Sequence, residues 1–135
     1  MARPRETNSR GFTLMELMIV ISIILILVAV AIPAYNQSIL RARESVLRQN
    51  LFTLRSILSQ YTLDKQKAPQ ALDDLVQAGY LKAIPNDPMT QKADWTADQE
   101  DSTIMSPDQQ DTGGIDDVHS SSTLISSDGS AYNTW

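Results

Sequence analysis

The sequence predicts an α+β fold: one long amino-terminal helix, membrane-spanning in its first half and amphipathic in its second, packed on a small antiparallel sheet. Three observations lead there. An almost wholly apolar run fills Phe12 to Ala34, a helical period of leucines continues to Tyr61, and short β-prone stretches separated by turn residues occupy the polar remainder. At 135 residues the chain has room for one small core beside such a helix.

Residues 1–11 form a basic leader carrying Arg3, Arg5 and Arg10 and ending at Gly11. In the segment 12–35, the 23 residues from Phe12 to Ala34 include only Thr13, Glu16 and Ser22 as clearly polar side chains. As a helix they extend about 35 Å at ~1.5 Å per residue, enough for the ~30 Å hydrocarbon core of a bilayer. Leu, Ile, Val and Met fall on every face, so the segment has no side suited to water and is surrounded by lipid or by other helices. The leader's positive charge places the amino terminus in the cytoplasm. Glu16 is the anomaly, because a carboxylate inside hydrocarbon costs on the order of 2.5–3.5 kcal/mol and calls for a partner.

Pro33 lacks a backbone donor and crowds the preceding turn, so a kink or local weakening is expected there without ending the helix. From 36 to 64 the apolar saturation gives way to a stripe of Leu40, Leu47, Leu51, Leu54, Leu58 and Tyr61, widened by Ile39, Val46 and Ile57. Arg41, Arg43, Arg48 and Arg55 lie off that stripe, and pairing with acids of the same or a neighbouring subunit suits them better than nucleic acid, since no aromatic platform interleaves them. Residues 65–135 form the small globular region, opening with a polar bridge from Lys65 to Pro69. A second, brief helix is predicted over Gln70 to Tyr80, with Gly79 as its left-handed terminator. Asp87, between Pro85 and Pro88, is placed to cap a turn with its carboxylate. Strand character is found at Ala93–Ala97, Thr103–Met105, Val118–Ser120 and Thr123–Ser126, which predicts a sheet of about three strands laid on the leucine stripe. Asp98 to Gly114 reads as a loop.

Charge is unevenly distributed. Nine of the 11 basic residues precede position 68 and 12 of the 16 acidic ones follow it, which argues against phosphate binding by the globular region. With no cysteine there is neither a disulfide nor a thiolate metal site. The single histidine, His119, has Asp117 and Ser120, Ser121 and Ser122 nearby, but residues so close along a strand point to alternate faces and do not converge as a triad. Without a phosphate-binding glycine loop either, the chain is read as a structural protein and not an enzyme.

Arg10-Gly11-Phe12-Thr13-Leu14-Met15-Glu16-Leu17 resembles the processing signal of type IV pilins and type II secretion pseudopilins. The string Gly79-Tyr80-Leu81-Lys82-Ala83-Ile84-Pro85-Asn86-Asp87-Pro88 further resembles the major, G-type pseudopilins. The resemblance implies a pilin-like fold, cleavage by a prepilin peptidase between Gly11 and Phe12, N-methylation of Phe12, and a helix that extends near Pro33 on polymerisation. It implies that Glu16 meets the Phe12 amine of the adjacent subunit in a helical homopolymer at the inner membrane and in the periplasm. The implied partners are minor pseudopilins, the inner-membrane platform protein and, indirectly, the outer-membrane secretin. G-type pseudopilins hold calcium in a carboxy-terminal loop, and Asp116, Asp117 and Asp128 are the hard oxygen ligands available for it here. This tail lacks the late second acid that commonly completes such a site, and Asp128-Gly129 is equally a turn signal.

Two other readings stay open at this point. One is a type IV pilin of a surface fibre for adhesion, motility or uptake. The other is a soluble periplasmic binding module released by an ordinary signal peptidase after Ala29-Val30-Ala31, which makes Ile32 the first mature residue in place of Phe12.

Overall fold

A computed structural model describes residues 10–99 and 113–135. The leader's Arg3 and Arg5, the Thr103–Met105 strand and most of the Asp98–Gly114 loop lie outside the described residues. The chain divides into two compact units, Met1–Ser38 and Ile39–Trp135.

Helix α1 spans Leu14–Lys65 and runs through Pro33. In the first unit its apolar side chains are exposed on all sides, from Leu17 to Ile32. Its one mid-segment hydroxyl, Ser22, donates to the Met18 carbonyl at 2.7 Å and so satisfies itself within the helix. This stretch is long and apolar enough to cross a membrane.

In the second unit, Leu47, Leu51, Leu54, Leu58 and Tyr61 of α1 form a buried stripe with three- and four-residue spacing, as the sequence predicts. The start of the predicted stripe does not join it: Ile39 and Leu40 are exposed, because the segments that cover the helix reach back only to Glu44, and Val46, although within the covered stretch, is exposed between buried Glu44 and Leu47. Helix α1 ends where Gln66 enters the left-handed region (φ 57°) and its side-chain amide donates to the Leu63 carbonyl at 2.7 Å.

Helix α2, Leu72–Gln77, is shorter than predicted. Asp74 defines its start by accepting the Ala71 and Gln70 backbone N–H groups at 3.1 and 2.9 Å. Gly79 (φ 83°) defines its end: its N–H reaches the Val76 carbonyl and the Tyr80 N–H the Leu75 carbonyl, at 3.1 and 3.0 Å, the paired bonds of a left-handed helix cap. Leu75 is thereby buried against the α1 stripe.

Asp87 is fully buried and caps its turn, accepting the Met89 N–H at 2.7 Å through Oδ1 and the Ser120 hydroxyl through Oδ2. Trp95 closes the same turn, donating Nε1–H to the Pro85 carbonyl at 2.7 Å.

Among the described residues the sheet has two strands where about three were expected: β1, Thr96–Gln99, antiparallel to β2, Ile115–His119. The predicted Thr123–Ser126 strand reduces to a single bridge between Ile125 and Ala131. A bulge sets the faces of β2. Asp98 pairs with Asp117 but Gln99 pairs with Ile115, which leaves Asp116 as the extra residue. Strict alternation cannot bury both Ile115 and Val118, three positions apart; the inserted residue lets both enter the core, at 4 % and 0 % exposure. Where β2 begins, Gly114 passes so close to Ala68 that a Cβ would lie 2.6 Å from it, while Ile115 N–H donates to the Pro69 carbonyl at 2.8 Å. A short 3-10 helix, Tyr132–Thr134, ends the described chain, with Tyr132 buried and edge-on to Trp135 at 5.1 Å.

Candidate functional site

The processing segment lies at the start of α1. Gly11 and Phe12 precede the helix and are exposed, Phe12 at 86 %. Helix α1 is started by Thr13, whose hydroxyl accepts the Glu16 N–H at 3.1 Å and whose carbonyl accepts the Leu17 N–H at 3.2 Å. Glu16 therefore occupies the first helical turn, where the helix dipole favours a negative charge. Arg10, Gly11, Phe12 and Glu16 together line an open cavity of about 210 Å³. Thr13 was not singled out from the sequence, although Thr-x-x-Glu ahead of an apolar run is a capping signature. Pro33 sits inside the helix in the apolar stretch, as anticipated.

The second cluster is where the carboxy-terminal residues meet α1. Glu44, 4 % exposed, accepts the Ser127 N–H at 2.7 Å, the Ser127 hydroxyl at 2.6 Å and the Tyr132 hydroxyl at 2.8 Å. Burial works against its charge, but these donors and Arg48 outweigh it and hold the carboxyl below its usual value of 4.5. Burial beside Glu44 pushes the Tyr132 phenol up to about 12. One turn along, Arg48 faces Asp128 at 3.4 Å and stacks over the Trp135 ring at 4.3 Å. Farther along α1, Arg55 binds Asp117 through Nε at 2.5 Å, the Val118 carbonyl at 3.0 Å and the Trp135 carbonyl at 2.8 Å. Arg48, Leu51, Phe52, Arg55, Asp128 and Trp135 line a cavity of about 360 Å³. Two of the four helix arginines thus pair with acids of their own chain.

Asp116, Asp117 and Asp128 do not fit a calcium ion as they stand. Asp116 is the exposed bulge residue. Asp117 Oδ1 takes Arg55 and the Val118 N–H at 2.7 Å, and its Oδ2 lies 3.5 Å from His119. Asp128 Oδ1 takes the Ser126 hydroxyl and Ser130 N–H and Oγ at 3.0 and 2.6 Å, which brings its pKa down to about 2. Among the described residues no three acidic or histidine side chains group closely enough to hold a metal.

Nor do the serines assemble with His119. Ser120 turns to Asp87 and Ser121 to the Asp94 carbonyl, while His119 contacts Asp98 at 3.1 Å and the Trp135 carbonyl at 2.6 Å. Glu44 is the residue that pattern reading passed over. It stands three positions before Leu47 and seven before Leu51, on the buried stripe itself, and an acid at a stripe position is the signal that finds it.

Residues 7–32 match the family described as the prokaryotic N-terminal methylation motif. The chain is 30 % identical over 128 residues to the type II secretion system core protein G of Klebsiella michiganensis, covering 83 % of this chain and 82 % of that one. It is 33 % identical over 97 residues to core protein G of Escherichia coli K12, covering 60 % and 67 %. It is also 36 % identical over 78 residues to the type IV major fimbrial protein FimA of Dichelobacter nodosus, where the match takes in 58 % of this chain and about half, 49 %, of the fimbrial protein. No solved structure matches the chain significantly.

Proposed function

The chain belongs to the type II secretion core protein G family, and from that membership we propose that it polymerises into the pseudopilus that helps move folded proteins across the outer membrane. The near full-length likeness to core protein G carries this reading, because it extends well past the methylation motif into the globular region.

In this reading the helix is inserted in the bacterial inner membrane with its amino terminus cytoplasmic. A prepilin peptidase cuts between Gly11 and Phe12, leaving 124 residues, and Phe12 is methylated. Support for the cut comes from the bond's position: Gly11 and Phe12 lie outside the helix and are exposed, so a protease reaches their backbone without unwinding α1. Glu16 then accepts the Phe12 ammonium of the neighbouring copy, and the pair replaces two separately unfavourable charges in hydrocarbon. The apolar side chains from Leu17 to Ile32 supply contact area but no unique stagger; the charge pair supplies the stagger. Minor pseudopilins, the platform protein and the secretin act with the filament, and the work is done by a cytoplasmic ATPase. The named relatives are structural proteins, and the chain is assigned no catalytic role.

Deleting the gene from its host and restoring it on a plasmid tests the proposal. Loss of protein release from the periplasm, recovered with the plasmid, is the expected result; unchanged release without the gene overturns it. The match to a fimbrial protein favours a surface pilin as the second reading. In that case the deletion strain loses surface fibres and retains secretion.

A further inference from the structure

Of the three acids on which calcium was expected, Asp116, Asp117 and Asp128, only Asp128 lies in the carboxy-terminal loop from Ser126 to Tyr132, and its carboxylate is already engaged. Each lone pair that Asp128 Oδ1 could offer a cation is met by a donor, from Ser126 and from Ser130. Its Oδ2 faces the guanidinium of Arg48, a cation fixed in place by stacking on Trp135. Calcium needs six to eight oxygen ligands, and a guanidinium beside the ligands repels it. What ties this loop to the helix is Glu44. Its carboxylate grips Ser127, ahead of the Asp128-Gly129 turn, and Tyr132, behind it, so one side chain holds both limbs. Glu44 and Arg48 are four residues apart on α1, with the acid on the amino-terminal side, the favourable order for such a pair.

We propose that this loop is closed without a metal: Glu44 supplies the anion that gathers its hydroxyls and N–H groups, and Arg48 supplies the positive charge that a divalent cation would bring. The closure of this loop on the helix is then independent of calcium. The inference concerns the residues from Ile39 onwards and holds whether the filament serves secretion or forms a surface fibre.

The test is thermal unfolding and limited proteolysis of the full chain in detergent, with millimolar calcium chloride or with EDTA. Wild type is expected to melt at the same temperature in both, to within about 1 °C, and its tail is expected to resist protease equally. A saturated calcium site would instead raise Tm by roughly 10 °C or more. Glu44→Gln is expected to lower Tm and release the tail to protease, and added calcium is expected to restore neither. A Tm that falls in EDTA, calcium protection of the tail in either protein, or a Glu44→Gln variant as stable as wild type overturns the proposal. The wild-type comparison stands even if the variant does not fold.

Discussion

The Tyr132 hydroxyl donates to Glu44 Oε1 at 2.8 Å across 88 positions of sequence, and both groups are buried. With the Ser127 donors to the same carboxylate and the Arg55 bond to the Trp135 carbonyl, it fastens the end of the described chain to the long helix. Glu44→Ala leaves Tyr132 and two Ser127 donors without their acceptor, at about 1–3 kcal/mol for each buried group that finds no water. A loss of about 2–4 kcal/mol is expected, read as a lower urea midpoint at unchanged slope. Tyr132→Phe removes only one donor and is expected to cost about 1 kcal/mol.

Stability should fall on acidification. The Glu44, Asp117 and Asp128 carboxyls have folded pKa values below their ordinary values of 4.5 and 3.8, so the unfolded chain binds protons first. Their stabilisation is complete above the unfolded values and is lost as pH drops through the folded ones. Thermal midpoints should therefore be insensitive to these groups above pH 6 and decline progressively below about pH 4.5. In Glu44→Gln that decline should be shallower. Tyr132 acts at the other extreme: its folded value of about 12 lies above the ordinary 10, so its contribution persists below pH 10 and disappears as pH rises through 12.

Gly114→Ala should be destabilising despite the small size of the change. Its Cβ would lie 2.6–2.8 Å from the Cβ and backbone of Ala68, which cannot rotate away. Separating them pulls on the Ile115-to-Pro69 hydrogen bond and on buried Ile115, for an expected cost of about 1–3 kcal/mol. The thermal midpoint should drop accordingly, with Gly129→Ala as a comparison where the strain comes from φ alone.

What could be read from the sequence followed periodicity. Leu47 to Tyr61, Gly79 and Asp87 behave as their spacing and chemistry dictate, because each role is determined within a few neighbouring residues. The sheet was less legible. Inserting Asp116 shifts β2 out of alternation, and a bulge depends on the partner strand, which no local pattern reveals. Asp117 and Asp128 read as metal ligands because their competing donors, Arg55 and Arg48, are 62 and 80 positions away. A short-range reading finds the acids and cannot find the cations that neutralise them.

Glu16→Ala separates anchoring from assembly. Removing a carboxylate from an apolar helix makes insertion easier, and Thr13 still caps α1 through the backbone N–H of residue 16, so the variant should insert and be cut after Gly11 like wild type. On the proposed assembly, however, the neighbouring Phe12 ammonium loses its counter-charge, and helices with interchangeable apolar contacts lose the interaction proposed to set their stagger. Filaments sheared from overproducing cells should fall at least tenfold while membrane-bound, processed subunit remains at wild-type levels. Glu16→Asp should recover part of the yield, since the charge is kept and only its reach is shortened. Filaments at wild-type yield from Glu16→Ala would show that the stagger is set elsewhere, by the globular unit.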